Sequence, residues 1–204
     1  MKRNWTLVIA ALSALALVAC SGSQQPDKSG TEGGTQPTEE SKPVETERGK
    51  IVLELDSTKA PKTVAQITRL IKSGFYDGQR IHRVEDWVIQ WGDPQSKQDD
   101  FLQVAVGTQG SGNPLDFEDS GIPHIRGVLS MASTGEKVGG DSQMFILRKD
   151  SQFLDGNYAS FGKVLEGMDV VDNIQQWDKV YMKVDSEEGG KIKVTMTVTF
   201  MKAP

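Results

Sequence analysis

The chain has 204 residues, of which 37% are hydrophobic and 25% charged, and it carries a formal net charge of -5. That length leaves room for one ordinary domain with appendages, and the composition excludes a polytopic membrane protein. The acidic balance argues against a broad electrostatic grip on nucleic acid, while one cysteine and two histidines exclude an internal disulfide and the His- or Cys-rich metal sites.

Lys2 and Arg3 precede an apolar run from Leu7 to Ala19, the charged start and hydrophobic centre of an export signal. The run is too short to span a bilayer comfortably, which takes about 20 residues. It ends Leu17-Val18-Ala19-Cys20 and continues Ser21-Gly22, and this resembles the lipobox of bacterial lipoproteins. The resemblance implies a signal peptide over 1–19 and acylation of the Cys20 thiol. The mature protein would then be anchored in the cell envelope, facing outside the cytoplasm. From Ser21 to Arg48 the only aliphatic residue is Val44, so this stretch cannot bury enough apolar surface to offset chain ordering. It is expected, with Cys20, as a disordered tether over 20–48 with a reach on the order of 30 Å.

The folded part is expected over 49–204. Ile51 to Leu55 reads as a strand, and Ala60-Pro61 opens a helix with proline in its first turn. Val64, Ile67, Leu70 and Ile71 give that helix one apolar face, and Gly74 supplies its stop. Further strands are predicted at 80–84, 87–91, 128–132, 143–148, 160–165 and 191–201, with a second helix entered after Gly167. Many short strands with two helices suggest a barrel whose ends are plugged by helices. The apolar run Phe101 to Val106 suggests an added strand or a partner surface, and Gly107 to Gly112 a turn near a groove. That glycine-rich stretch lacks the ending of a phosphate loop, and Ser142 lacks the surroundings of a serine-hydrolase nucleophile.

Read in order, Ala60-Pro61-Lys62-Thr63-Val64, Ser73-Gly74-Phe75-Tyr76-Asp77-Gly78, His82-Arg83-Val84, Gln90 with Gly92-Asp93-Pro94, Phe117-Glu118-Asp119, Arg126 to Ala132, Ser142 to Ile146, Leu154-Asp155-Gly156 and Phe161-Gly162-Lys163-Val164 resemble the cyclophilin family. The resemblance runs over nearly all of 49–178. It implies a mainly β fold, a closed eight-stranded antiparallel barrel capped by two α-helices, and peptidyl-prolyl cis/trans isomerase activity. No cofactor and no metal are called for, because the reaction rotates a bond without breaking one.

By the same resemblance Arg83 is the catalytic cation and Gln90 a catalytic partner. Trp87, Val88, Ser133, Gln143, Phe145, Phe153, Leu154 and Tyr158 are the substrate-binding positions. His82 is a structural residue, and His124 has no evident partner. Four departures stand out. The Arg83–Gln90 segment is one residue shorter than usual, with Trp87 where Phe is common and Val88 where Met is common. Ser133 replaces the usual Asn, and the loop from there to Gln143 is one residue longer. Phe153 replaces the Trp associated with tight cyclosporin binding, so weak cyclosporin binding is expected. Residues 95–106 look inserted.

The function expected is prolyl isomerisation of exported proteins at the outer face of a bacterial membrane. The alternative is a weakly catalytic module that binds proline-containing segments as a chaperone or scaffold. The partners expected are those segments and the membrane itself, through Cys20.

Overall fold

The computed structural model describes residues 44–202; the signal segment, Cys20 and most of the expected tether lie outside the described residues. Nine strands and two α-helices follow in the order β1 (Val44–Asp56), α1 (Pro61–Lys72), β2 (Gln79–Arg80), β3 (Arg83–Val84), β4 (Val88–Trp91), β5 (Val128–Met131), β6 (Met144–Leu147), β7 (Ser160–Glu166), α2 (Met168–Asn173), β8 (Lys179–Glu188) and β9 (Lys191–Lys202). All pairings are antiparallel, in one sheet ordered β2-β8-β9-β1-β7-β5-β6-β4-β3.

This corrects the expected closed eight-stranded barrel to an open, curled sheet of nine strands. The expected strand 80–84 is divided: Ile81 N–H donates to the Asp178 carbonyl (2.8 Å), whereas His82 N–H donates to the Gln90 carbonyl (3.2 Å). The chain therefore crosses from one margin of the sheet to the other between these two residues. β2 pairs only with β8 and β3 only with β4, so the two margins are neighbours along the chain without sharing a ladder.

Helix α1 begins with Pro61 and packs Val64, Ile67, Leu70 and Ile71 into the core. Its first turn is capped from outside, with Glu118 accepting from the N–H groups of Lys62 (3.1 Å) and Thr63 (2.9 Å). Gly74, at φ 70°, ends it by letting Phe75 N–H reach back to the Leu70 carbonyl (3.0 Å).

Strands β4, β5 and β6 are buried on both faces. Ile89, Trp91, Leu129, Met131, Met144 and Ile146 enter the main core, while Val88, Val128, Phe145 and Leu147 form a second apolar cluster with Leu154 on the opposite face. Period-two alternation thus splits each apolar run between two cores.

Three expectations are revised. The start expected at Gly49 falls inside β1, whose first residues pair with the end of β9. β8 was not anticipated, although Val180 and Met182 are buried on one face of it. The run 101–106 adds no strand. A 3-10 turn at Phe101–Gln103 sets Phe101 against Trp177, with ring centroids 4.9 Å apart, and under the Arg80 guanidinium at 4.2 Å. The preceding turn, Pro94–Lys97, brings Ser96 Oγ to the Arg80 N–H (3.0 Å), so this segment covers the β2 margin. Among the described residues no helix is long and apolar enough to cross a membrane.

The polar start of β1 is held by its neighbours. Glu45 accepts from Thr199 Oγ1 (2.6 Å), the Tyr181 hydroxyl (2.7 Å) and Lys179 Nζ (2.9 Å), and Arg48 donates to Asp178 (3.0 Å). The Thr199 bond foremost, then Tyr181 and Lys179, lower the Glu45 carboxyl from 4.5 to about 2 against a burial penalty. A folded value below the unfolded one means that this stabilisation is complete above about 4.5 and is lost as pH falls toward 2. Melting temperatures of the full chain across that window are expected to fall more steeply than those of Glu45→Gln.

Candidate active site

The sheet register brings the expected residues together. Arg83 on β3 lies opposite Gln90 on β4, Gln90 opposite Phe145 on β6, Phe145 opposite Ser130 on β5, and Ser130 opposite Ser160 on β7. Directly paired residues share a face, so this row runs across the outer side of the sheet, the side away from the main core. β3 and β4 are joined by a tight turn in which Glu85 N–H donates to the Val88 carbonyl (2.9 Å) and Val88 N–H to the Glu85 carbonyl (3.4 Å). The short Arg83–Gln90 spacing is thereby absorbed in a two-residue connection.

Arg83, Trp87, Val88, Gln90, Ala132, Ser133, Phe145, Phe153, Leu154 and Tyr158 surround one cavity of about 340 Å³. The floor is apolar: Val88, Phe145 and Leu154 are buried, with Trp87 and Tyr158 packed against them. Phe145 meets Tyr158 edge-on (6.3 Å), and Trp87 lies 5.9 Å from Phe153, which is 70% exposed and forms an aromatic rim. Gln143 stands instead in an adjoining cavity of about 360 Å³, which shares Gln90, Ala132 and Ser133 with the first and is walled by 107–110 and 138–141.

A chain of hydrogen bonds links the two cavities. Arg83 NH1 donates to Gln90 Oε1 (3.3 Å), Gln90 Nε2 to Gln143 Oε1 (2.9 Å), and Gln143 Nε2 to the Gln109 carbonyl (2.8 Å). A guanidinium has no acceptor, so it dictates which way each amide points. The receiving loop is held by two carboxylates. Asp93 accepts from the N–H groups of Gly107 (2.6 Å) and Gln109 (3.0 Å), and Asp141 from those of Ser111 (3.0 Å), Gly112 (2.9 Å) and Asn113 (3.1 Å). Gly92 is required next to β6, because a Cβ there would stand 2.3 Å from the Ser142 carbonyl oxygen.

His82 is buried, with neither ring nitrogen bonded among the described residues, and its side chain packs on Gly107. Burial lowers its pKa, Asp93 opposes this and Arg83 adds to it, which favours the neutral ring. His124 does have partners. Its Nδ1 lies 2.8 Å from Asp155 Oδ1, its Nε2 lies 3.0 Å from Ser130 Oγ, and its ring stacks 6.4 Å behind Phe145. The His124 backbone N–H, and then its ring, hold the Asp155 carboxyl below the ordinary range. Because a carboxylate only accepts, Nδ1 carries a proton toward Asp155, while Nε2 pairs with the Ser130 hydroxyl, which can donate or accept.

A family model described as cyclophilin type peptidyl-prolyl cis-trans isomerase/CLD matches residues 43–199. The chain belongs to this family. It is a cyclophilin-type peptidyl-prolyl cis/trans isomerase. The peptidyl-prolyl cis-trans isomerase A of Dickeya dadantii is 41% identical to it over 138 residues, 64% of this chain and 68% of that one. The peptidyl-prolyl cis-trans isomerase of Helicobacter pylori is 39% identical over 140 residues, covering 66% and 80% respectively. A crystal structure of a Cryptosporidium parvum cyclophilin-type isomerase, obtained in the presence of the dipeptide Ala-Pro, shares the fold with a TM-score of 0.56 and 23% identity, over 80% of this chain and 98% of that one.

The sequence left His124 without a partner and did not single out Glu85. The signal for Glu85 was the alternation Arg83-x-Glu85-x-Trp87, while that for His124 lay in through-space partners that no spacing reveals. His124→Ala opens a hole behind Phe145 and leaves buried Ser130 unpaired. The expected loss is about 2–4 kcal/mol, read as a melting temperature lower by roughly 5–12 °C.

Proposed function

We propose that this isomerase acts on proline-containing segments of exported proteins at the outer face of a bacterial membrane, held there by acyl chains on Cys20, with Arg83 lowering the rotation barrier. The peptide C–N bond is partly double, and its rotation barrier is about 18–20 kcal/mol. Uncatalysed exchange takes tens of seconds or longer. Reaching milliseconds requires the barrier to fall by roughly 7 kcal/mol.

In the half-rotated state amide resonance is lost, the nitrogen becomes pyramidal and basic, and the carbonyl comes to resemble a ketone. Groups that bind this state better than either planar form accelerate rotation. A permanently charged guanidinium donating to the nitrogen does so without transferring a proton. The observation that carries this reading is the placement of Arg83 at the rim of a cavity floored by Val88, Phe145 and Leu154. An apolar slot of that kind suits a proline ring. Gln90 would share in catalysis by steadying Arg83 and meeting the substrate backbone. Trp87, Val88, Phe145, Phe153, Leu154 and Tyr158 would hold the ring and its neighbours. Ser133 and Gln143, beside the second cavity, would meet the residues before proline.

The envelope location rests on the amino-terminal sequence, where a charged start, an apolar run and Leu17-Val18-Ala19-Cys20 follow one another. Between that cysteine and β1, the stretch from Ser21 to Pro43 is built of small, polar and charged residues. It would let the domain work clear of lipid headgroups.

In a protease-coupled prolyl-peptide assay on the full chain, Arg83→Ala is expected to lower kcat/KM by about two orders of magnitude or more, with little change in melting temperature. Equal rates in the two proteins would remove Arg83 from the mechanism. Mass spectrometry of the mature protein is expected to find residues 1–19 absent and an acylated Cys20; an intact, unmodified amino terminus would overturn the anchor.

A further inference from the structure

Glu85 stands two residues after Arg83 and two before Trp87, on the turn where the chain departs from the usual family spacing. Its Oε1 accepts from Arg83 Nε (2.7 Å) and its Oε2 from Trp87 Nε1 (2.8 Å). One carboxylate thus bridges the cation at the rim and the indole in the wall, and the guanidinium lies 5.2 Å from the indole ring. With Nε directed to Glu85 and NH1 to Gln90, NH2 has no hydrogen bond among the described residues. The turn itself is fastened by other means. Arg148 donates its N–H to the Trp87 carbonyl (2.8 Å) and its NH1 to the Glu85 carbonyl (3.2 Å), while its remaining donors reach the Val171 and Ile174 carbonyls at the end of α2.

We propose that Glu85 is a positioning residue for the isomerisation: its two oxygens fix the Arg83 guanidinium and the Trp87 indole together, so that NH2 is the donor presented to the slot. The proposal rests on the reading of Arg83 as the cation. An unrestrained arginine samples many rotamers, and immobilising it beforehand spares that ordering when substrate arrives. The chemistry demands a carboxylate. The two N–H donors meet different oxygens of Glu85, and a glutamine held in the same pose keeps an acceptor for one of them and turns its own NH2 group toward the other, so where it stands it serves only one. The sign of the effect separates positioning from charge. If the Glu85 charge merely masked the guanidinium, its removal would speed catalysis; if Glu85 positions Arg83, its removal slows it.

The test measures kcat and KM separately on the full chain. Glu85→Gln is expected to lower kcat about tenfold, with KM little changed and melting within a few degrees of wild type, since the carboxylate is surface-exposed and the turn keeps its backbone bonds. In a Trp87→Phe background, where only Arg83 Nε seeks an acceptor, the same substitution is expected to cost much less, a non-additivity that a general structural role would not produce. The Arg83 Nε–H resonance in nitrogen-15 NMR is expected to move upfield in Glu85→Gln, and the same substitution is expected to move it less in the Trp87→Phe background. A Glu85→Gln rate equal to or above wild type, with Arg83→Ala slow, overturns this proposal and leaves Arg83 in its role. A wild-type rate in Arg83→Ala overturns both. A tenfold loss of equal size in the two backgrounds also overturns it.

Discussion

Three short strands have to bury both of their faces, and the site is a consequence of that requirement. In β4, β5 and β6 the residues Ile89, Trp91, Leu129, Met131, Met144 and Ile146 fill the main core, so Val88, Val128, Phe145 and Leu147 are forced to the other side. There they need cover. Leu154, Tyr158 and Trp87 provide it only in part, and the space left between them is the slot. The hydrophobic effect that closes one core thus leaves a second one unfinished, an apolar floor open to solvent.

Around this apolar floor the polar groups are arranged by a single fact of valence: arginine donates and never accepts. Arg83 turns the Gln90 oxygen toward itself, Gln90 then turns its nitrogen to Gln143, and Gln143 turns its own to the Gln109 carbonyl. Asp93 and Asp141 hold the far end by binding successive backbone N–H groups of the 107–113 loop. An ordered direction of hydrogen bonds from cation to loop keeps the edge of the slot rigid, and rigidity is what a reaction without covalent chemistry depends on.

Much of this was legible in the sequence, for identifiable reasons. Pro61 and Gly74 mark the ends of α1, because proline's fixed φ and missing N–H suit a first turn and glycine accepts the φ of 70° that stops the helix. Short β-branched and apolar runs mark β5 and β6, and the likeness to a known family located Arg83, Gln90 and Phe145, which the register then sets on one face. The rest depended on partners distant in sequence. Residues 44–48 are too polar to read as a strand, and they pair because Thr199, Tyr181, Lys179 and Asp178 bind Glu45 and Arg48. β8 was hidden by its charges, since Val180 and Met182 alternate with lysines and a tyrosine that face away from the core. The apolar character of 101–106 suggested a strand, whereas Phe101 serves to cover Trp177. Sheet closure turned on one switch of partner between Ile81 and His82, and composition carries no trace of such a switch.

The way the sheet ends bears on the company such a domain would keep. Its marginal strands β2 and β3 are two residues long, and the Arg80 N–H at the β2 margin is already taken by Ser96. Where β8 runs on beyond β2, it presents Lys183, Asp185, Glu187 and Glu188. There the open edge of β8 carries alternating charge instead of an apolar row, which discourages a half-folded chain from zipping onto it. A prolyl isomerase with such margins can meet an extended segment without its own sheet becoming the seed on which that segment gathers.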